Sequence, residues 1–375
     1  MRKLIAASVA ALCLVGFSGF GAWSADMPLK APPALVDSSY FYFSGDGTYN
    51  RVRLPTYGLG FQFTNGNAPG NPATGATDSY DPRPEGAGGN LRLGYAFRDG
   101  TFAPVFGTNV RIEIGGSYID ANANQSGSSP PQGGCCGGNG IGYVPLMLNG
   151  TFTDDFSCAP ATPCSTSSTL ATHYRAGRAE LKALSDFRSG VFTFTPSALV
   201  FAGQSTTDQL FRQANFNSFL GINEEFYVAN TRLRWTDWGA MVGLSAKVDP
   251  APWLTASLGA KLGFAGRDVS LNGNDTYVNV VAPFTNTASS ISVGSTTVPF
   301  LANVEGSVGV RPMPNVLLRA FAGLDYDSRV PGILAPTAAK AQLGSAITTP
   351  AGIKFAAETG YYAGAGLTVT FGPGR

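Results

Sequence analysis

His173 is the single histidine of this 375-residue chain, so any Ser-His or Asp-His hydrolytic constellation would have to be built on it. It stands beside Arg175 at the end of a strand-like span, where a solvated surface residue is the expected role. No GxSxG, HExxH, phosphate-binding glycine loop or EF-hand spacing occurs. The glycine-rich pieces GYAFRDG and NGNAPGNPATG are followed by no helical pattern and so offer no helix N-terminus to a phosphate. These residues imply neither an enzyme nor a cofactor.

Cys135, Cys136, Cys158 and Cys164 cluster in one stretch. Their spacing matches no common zinc pattern, and in an oxidising compartment they are expected to form disulfides. A bridge between adjacent cysteines is strained. Cys135 and Cys136 are therefore each expected to pair with one of Cys158 and Cys164, stapling a glycine-rich surface loop or cap.

A third set of residues is charged. Arg92, Arg98, Arg111, Glu113, Arg178, Glu180, Lys182, Lys247, Lys261, Glu305, Arg311, Arg319 and Asp325 sit within spans whose alternate positions are apolar. In a strand, successive side chains point to opposite faces, so these charges share one face and the apolar residues the other. If the sheet rolls into a barrel, the charged set lines the lumen. Either arginines and carboxylates interlock there as a polar core, or water remains and the basic excess favours anionic solutes.

Ten spans carry this alternation: 39–49, 89–98, 108–119, 172–185, 190–202, 231–248, 252–267, 298–311, 315–327 and 358–371. Short connections (99–107, 186–189, 249–251, 312–314) alternate with long ones (50–88, 120–171, 203–230, 268–297, 328–357). Such a rhythm is expected of an all-β, transmembrane, antiparallel up-and-down barrel with short periplasmic turns and long extracellular loops. It places both termini at the short-turn rim. Twelve strands is the alternative count, because 203–230 holds enough aromatics for an extra strand or short helix, and the first strand has room to continue toward Phe63. Trp238, Trp253, Tyr326, Tyr361 and Phe371 lie near strand ends, where aromatic girdles form.

The N-terminus has a basic start (Arg2, Lys3), an apolar run to about Phe20 and the small-residue stretch GAWSA, the build of a secretory signal peptide. Cleavage after Ser24 satisfies the small-x-small rule. The expected organisation is a signal peptide at 1–24, a periplasmic segment at 25–38, a barrel at 39–371 and a tail at 372–375. Removing Arg2 and Lys3 leaves 23 basic residues against 24 acidic ones, so no nucleic-acid footprint follows.

The segment ADMPLKAPP after the expected cleavage point resembles the mature start of porin-like outer-membrane proteins of alphaproteobacteria. The closing YYAGAGLTVTF, with Tyr361, Leu367, Val369 and Phe371 on one face, is similar to their C-terminal signature. WTDWGAMVGLSAKV and WLTASLGAKLGFAG resemble paired strands of the Legionella-type major outer-membrane protein family. The resemblance implies a Gram-negative outer-membrane location, contact with lipid and recognition by the barrel-assembly machinery. One departure is that Gly372–Arg375 follow the terminal aromatic. The expected function is a porin-like passage for small polar solutes or a structural surface protein, in a monomeric barrel too small for the trimeric porin pattern. An adhesin working through its stapled loops is the alternative.

Overall fold

The computed structural model describes residues 39–65, 79–97, 108–132, 141–151, 164–217, 220–281, 284–338 and 348–372. The expected signal peptide, the 25–38 segment, Arg98, Cys135, Cys136 and Cys158 lie outside these residues, as does the side chain of Cys164.

Among the described residues every element is a strand. The barrel wall is formed by β1 (Tyr40–Arg51), β3 (Glu85–Ala96), β4 (Thr108–Gln132), β6 (Cys164–Ser189), β7 (Phe192–Asn217), β8 (Ile222–Ala251), β9 (Leu254–Asn279), β10 (Thr285–Thr297), β11 (Phe300–Met313), β12 (Val316–Leu334) and β15 (Gly352–Phe371). Two small antiparallel pairs lie outside this sheet: β2 (Gly60–Asn65) with β5 (Ile141–Leu146), and β13 (Thr337–Ala338) with β14 (Thr348–Thr349). The eleven strands of the main sheet close on themselves through β8–β9 and β15–β1.

Ten lanes make up the ring. β10 pairs with β9 over Arg267–Asn279 and β11 pairs with β9 over Leu254–Phe264, so the two occupy one lane, interrupted at Val298–Pro299. Proline cannot donate to a ladder, which accounts for the break.

The ten wall spans read from the sequence are all present, but the long connections need correction. The described residues of 203–230 form neither an extra lane nor a helix; they are the upper halves of β7 and β8, which pair up to Asn217 and Ile222 with one register shift at Asn215–Phe216. β9 and β10 likewise absorb most of 268–297. The first strand stops at Arg51, and the residues near Phe63 pair instead with β5.

Strand length shows why. β8 has 30 residues, about 100 Å at the usual rise, whereas a hydrocarbon layer is ~25 Å thick. About 10 tilted residues cross such a layer, so most of β8 stands beyond any belt that lipid could cover, whereas β1 and β3, of 12 residues each, barely exceed it.

Two-residue turns occupy one rim, whereas the opposite rim carries the longer β7–β8 connection with Gly221 at φ 70°. Gly190 carries φ 60° between β6 and β7, the left-handed conformation that a two-residue primed hairpin turn requires. Phe41 pairs with Phe371, so both ends of the described barrel lie at the short-turn rim.

Candidate functional site

Within the lower wall, side-chain direction separates two chemistries. Phe43, Leu93, Ile114, Leu181, Val200, Val242, Leu262, Val304, Leu318 and Leu367 face outward and are exposed. In the same strands Ser44, Arg92, Glu113, Lys182, Leu199, Lys261, Glu305 and Arg319 face inward. All twelve described members of the charged set lie on the inward face.

Several inward groups meet across an intervening glycine. Asp46 of β1 and Arg319 of β12 both register with Gly366 of β15 and form an ion pair of 2.6 Å over it. A Cβ on Gly366 would stand 1.9 Å from the Asp46 carboxylate. The same arrangement joins Arg92 to Glu180 at 3.4 Å over Gly115. Tyr362 donates to Glu305 at 2.9 Å over Gly323, and Tyr42 donates to Glu113 at 2.7 Å over Gly94.

Asp46 links these rows. It also contacts Arg92 at 3.7 Å, while Arg319 reaches Glu305 at 3.5 Å. One chain of charges thus runs Glu305–Arg319–Asp46–Arg92–Glu180, from β11 to β6. Its centre is dry, with only 1% of the Asp46 side chain exposed. Lys182 pairs with Glu113 at 3.3 Å, and near the short-turn rim Asp186 accepts from Asn109, Arg111 and Thr195. At that rim, Asp249 contacts Lys247 at 3.2 Å and Arg311 at 3.6 Å.

The other side of the lumen is apolar: Leu199, Phe201, Met241 and Ala265 form a buried cluster. Arg178 lies 3.6 Å above the Phe201 ring, so its charge rests on the aromatic face. The lumen is not filled at this level. Asp325 faces inward yet is exposed, accepts from Asn303 at 2.8 Å, and lies within electrostatic reach of Lys261 and Arg178.

Above this level Arg267 acts as a clamp. Its side chain is 2% exposed and holds Asp237 at 2.6 Å, Asp327 at 2.7 Å and the Arg329 carbonyl at 2.7 Å. Beyond it the faces exchange polarity. Leu233, Trp235, Val269, Leu271, Phe211 and Tyr227 point inward and are buried, while Arg232, Arg234, Asp268 and Arg212 point outward.

The segments around Tyr57, Tyr80, Leu148 and Ala351 pack into this inner apolar lining and cap the barrel. Asp275 fastens the cap by accepting from the Leu148 backbone N–H at 2.7 Å, from Tyr227 at 2.8 Å and from Ser289. Burial drives the Tyr57 and Tyr227 hydroxyls well above their ordinary range, with Asp275 adding to both. At the margin, burial raises the Glu358 carboxyl although Arg53 lies 3.0 Å away.

Sequence reasoning left out Asp46, and although it offered the 120–171 loop as a surface loop or cap, it did not identify Tyr57, Tyr80, Leu148 and Ala351 as the residues that plug the barrel. Asp46 lies inside the expected 39–49 span and on its inward face, but it stands outside the charged set that the sequence assigned to the lumen. His173 faces outward and contacts Asp120 at 3.0 Å, away from the lumen. Among the described residues no group of three or more His, Cys, Asp or Glu is placed to hold a metal ion.

No family model matches this sequence, and no curated protein matches it. Among solved structures it is similar to the outer membrane protease OmpT from Escherichia coli, at 11% identity and a TM-score of 0.37, covering 89% of this chain and 96% of that one. A TodX monoaromatic hydrocarbon channel mutant is 8% identical with a TM-score of 0.22, covering 91% of each chain. A FadL homologue from Pseudomonas aeruginosa is 9% identical with a TM-score of 0.21, covering 88% of this chain and 90% of that one. Scores this low carry no argument, and the barrel assignment rests on this chain's own strand pairing.

Proposed function

We propose that this chain is an outer-membrane β-barrel whose lumen is closed at rest, a structural surface protein and not an open porin. The observation that carries this reading is the division within single rows of sheet. Outward side chains are apolar and exposed, as at Leu91 and Val242, while inward ones are charged and joined, as at Arg92 and Glu180. Lipid suits the first face, and only mutual pairing makes the second affordable away from bulk water. The cap and the Arg267 clamp would then hold the outer end shut.

Two measurements on the full chain refolded in detergent test this. The folded protein should resist SDS until boiled, and it should give no steady conductance steps in a planar bilayer at neutral pH. A polypeptide that stays monodisperse without any amphiphile would overturn the membrane reading. Stable steps would instead support the second reading, a narrow passage for small polar solutes, which the exposure of the inward-facing Asp325 favours.

A further inference from the structure

Outward charges above the apolar belt are distributed unevenly around the barrel. On the side of β1, β3 and β15 they cancel: Arg51 pairs with Glu85 at 3.1 Å and Arg83 with Asp81, while Arg53 reaches the inward Glu358 at 3.0 Å. Across β6, β7 and β8, three arginines gather around one carboxylate. Asp208 accepts from Arg175 at 3.0 Å and from Arg232 at 2.5 Å, and Arg234 is exposed beside them.

Asp120 registers with Arg175 from β4 and Asp268 lies one lane beyond Arg234 on β9, so the positive excess is confined to the space between β6 and β8, where strand register makes it a cradle. Thr206 is the cross-strand partner of both Arg175 and Arg234. With strands about 4.8 Å apart, two guanidinium groups flank a short hydroxyl side chain from either side. That leaves room for a tetrahedral oxyanion, which arginine recognises through paired N–H donors.

Immediately below the cradle the wall is shallow. Gly177 and Ala179 of β6 and Ala202 of β7 face outward, with Gln204 at the upper edge. Tyr118 bounds them on one side and Trp238 on the other, 53% and 63% exposed. Tyr118 registers with Gly177, and Trp238 with Ala202. A Cβ on Gly177 would come no nearer than 4.0 Å to its neighbours, so the floor is open. It continues into the belt of Ile114, Leu181 and Val200, and Arg234 lies four residues above Trp238, about 13 Å along the strand.

We propose that this face binds a net-anionic, phosphate-bearing lipid of the surrounding leaflet. Arg175, Arg232 and Arg234 hold the headgroup phosphate, and one acyl chain lies on the small-residue floor between Tyr118 and Trp238. The inference rests on the outer-membrane reading and adds a ligand to it. A soluble phosphate would use the cradle alone, whereas the floor selects a lipid.

Native mass spectrometry of the full chain folded in dodecylmaltoside micelles tests this, with bis-phosphorylated lipid A, phosphatidylcholine and inorganic phosphate as separate probes. The parent protein should retain lipid A in preference to both others. The combined Arg175→Gln, Arg232→Gln and Arg234→Gln variant should lose about a hundredfold in affinity, and Arg234→Gln alone about fivefold. Gly177→Leu, which leaves the charges intact, should also weaken lipid A binding. Equal retention by parent and triple variant, or inorganic phosphate binding as well as lipid A, would overturn the proposal. If the triple variant does not fold, Arg234→Gln and Gly177→Leu decide between the same outcomes. A heat-modifiable band read on the same samples separates the two failures. Its absence removes the barrel reading and the lipid site with it, while its presence without lipid preference removes the lipid site alone.

Discussion

Asp46 and Arg319 stand on strands that share no hydrogen bonds, yet they meet at 2.6 Å because the residue between them in the row, Gly366, has no side chain. Packing here precedes electrostatics. The glycine leaves the volume, the carboxylate fills it, and the arginine closes over the top. Since Asp46 also contacts Arg92, one glycine underlies both directions of the charge chain.

Replacing Gly366 with valine should therefore break the network at its centre. The new Cβ would fall 1.9 Å from the Asp46 carboxylate, leaving Arg319 without that partner in a poorly hydrated lumen. Separating a buried pair costs about 3–5 kcal/mol, so the boiling threshold of the SDS-resistant band should drop clearly. Gly47→Ala is the control, because nothing lies within 4 Å of its added methyl group. Equal thresholds for the two variants would remove the structural role assigned to the Asp46 row.

The cap depends on one carboxylate in the same manner. Asp275→Ala would strip acceptors from the Leu148 N–H and the Tyr227 hydroxyl, both buried, at about 1–3 kcal/mol for each unpartnered group. Chymotrypsin should then cut the folded, detergent-solubilised variant near Leu146–Leu148 while sparing the parent. Conductance steps appearing in this variant and not in the parent would identify the cap as the gate. Uncut protein would show that the apolar contacts hold the segment without Asp275.

Much of the lower barrel was legible because period-two alternation, tight turns and a buried charged face report the same geometry three times. A cap from the 120–171 loop was one of two readings, but the apolar lining that receives it was illegible because alternation continues through the upper wall with the opposite meaning. In β8 the apolar positions are odd at Leu233 and Trp235 and even from Trp238 through Ala240, Val242 and Leu244. β9 shifts likewise between Leu262 and Phe264 on one side and Val269 and Leu271 on the other. That change of phase within an unbroken strand is the signal of a wall leaving lipid and enclosing a core, and it is present in the sequence. The inserted segments around Tyr57 and Leu148 carry no comparable pattern, since loop residues are buried here by tertiary packing alone.

Glu358 gives a pH dependence whose sign is fixed by burial. Its carboxyl titrates above its ordinary value of 4.5 because desolvation outweighs the attraction of Arg53. The folded state therefore carries a cost while Glu358 is ionised, and that cost disappears as pH falls through the raised value to below 4.5. Glu358→Gln should melt higher than the parent at pH 7–8 and converge with it near pH 4. Asp81 behaves oppositely: desolvation raises it, but Arg83 and Arg53 together bring it below 3.8. Its contribution is present above that value and fades in stronger acid. A Glu358→Gln protein that melts lower at neutral pH would mean that the 3.0 Å contact with Arg53 outweighs burial.

Trp235 and Trp238 offer a direct test of where the wall changes surroundings. They lie three residues apart on β8 and point to opposite faces, 4% and 63% exposed. In chains retaining one tryptophan, with the others replaced by phenylalanine, bromine on lipid acyl chains should quench Trp238 strongly. Trp235 should be shielded from both brominated lipid and aqueous iodide, because it packs in the cap against Tyr174 at a ring separation of 6.0 Å. Lipid quenching of Trp235 with Trp238 untouched would reverse the inside and outside of the barrel. Quenching of both by iodide would place the whole strand in water, and the apolar belt would then need a protein partner in place of lipid.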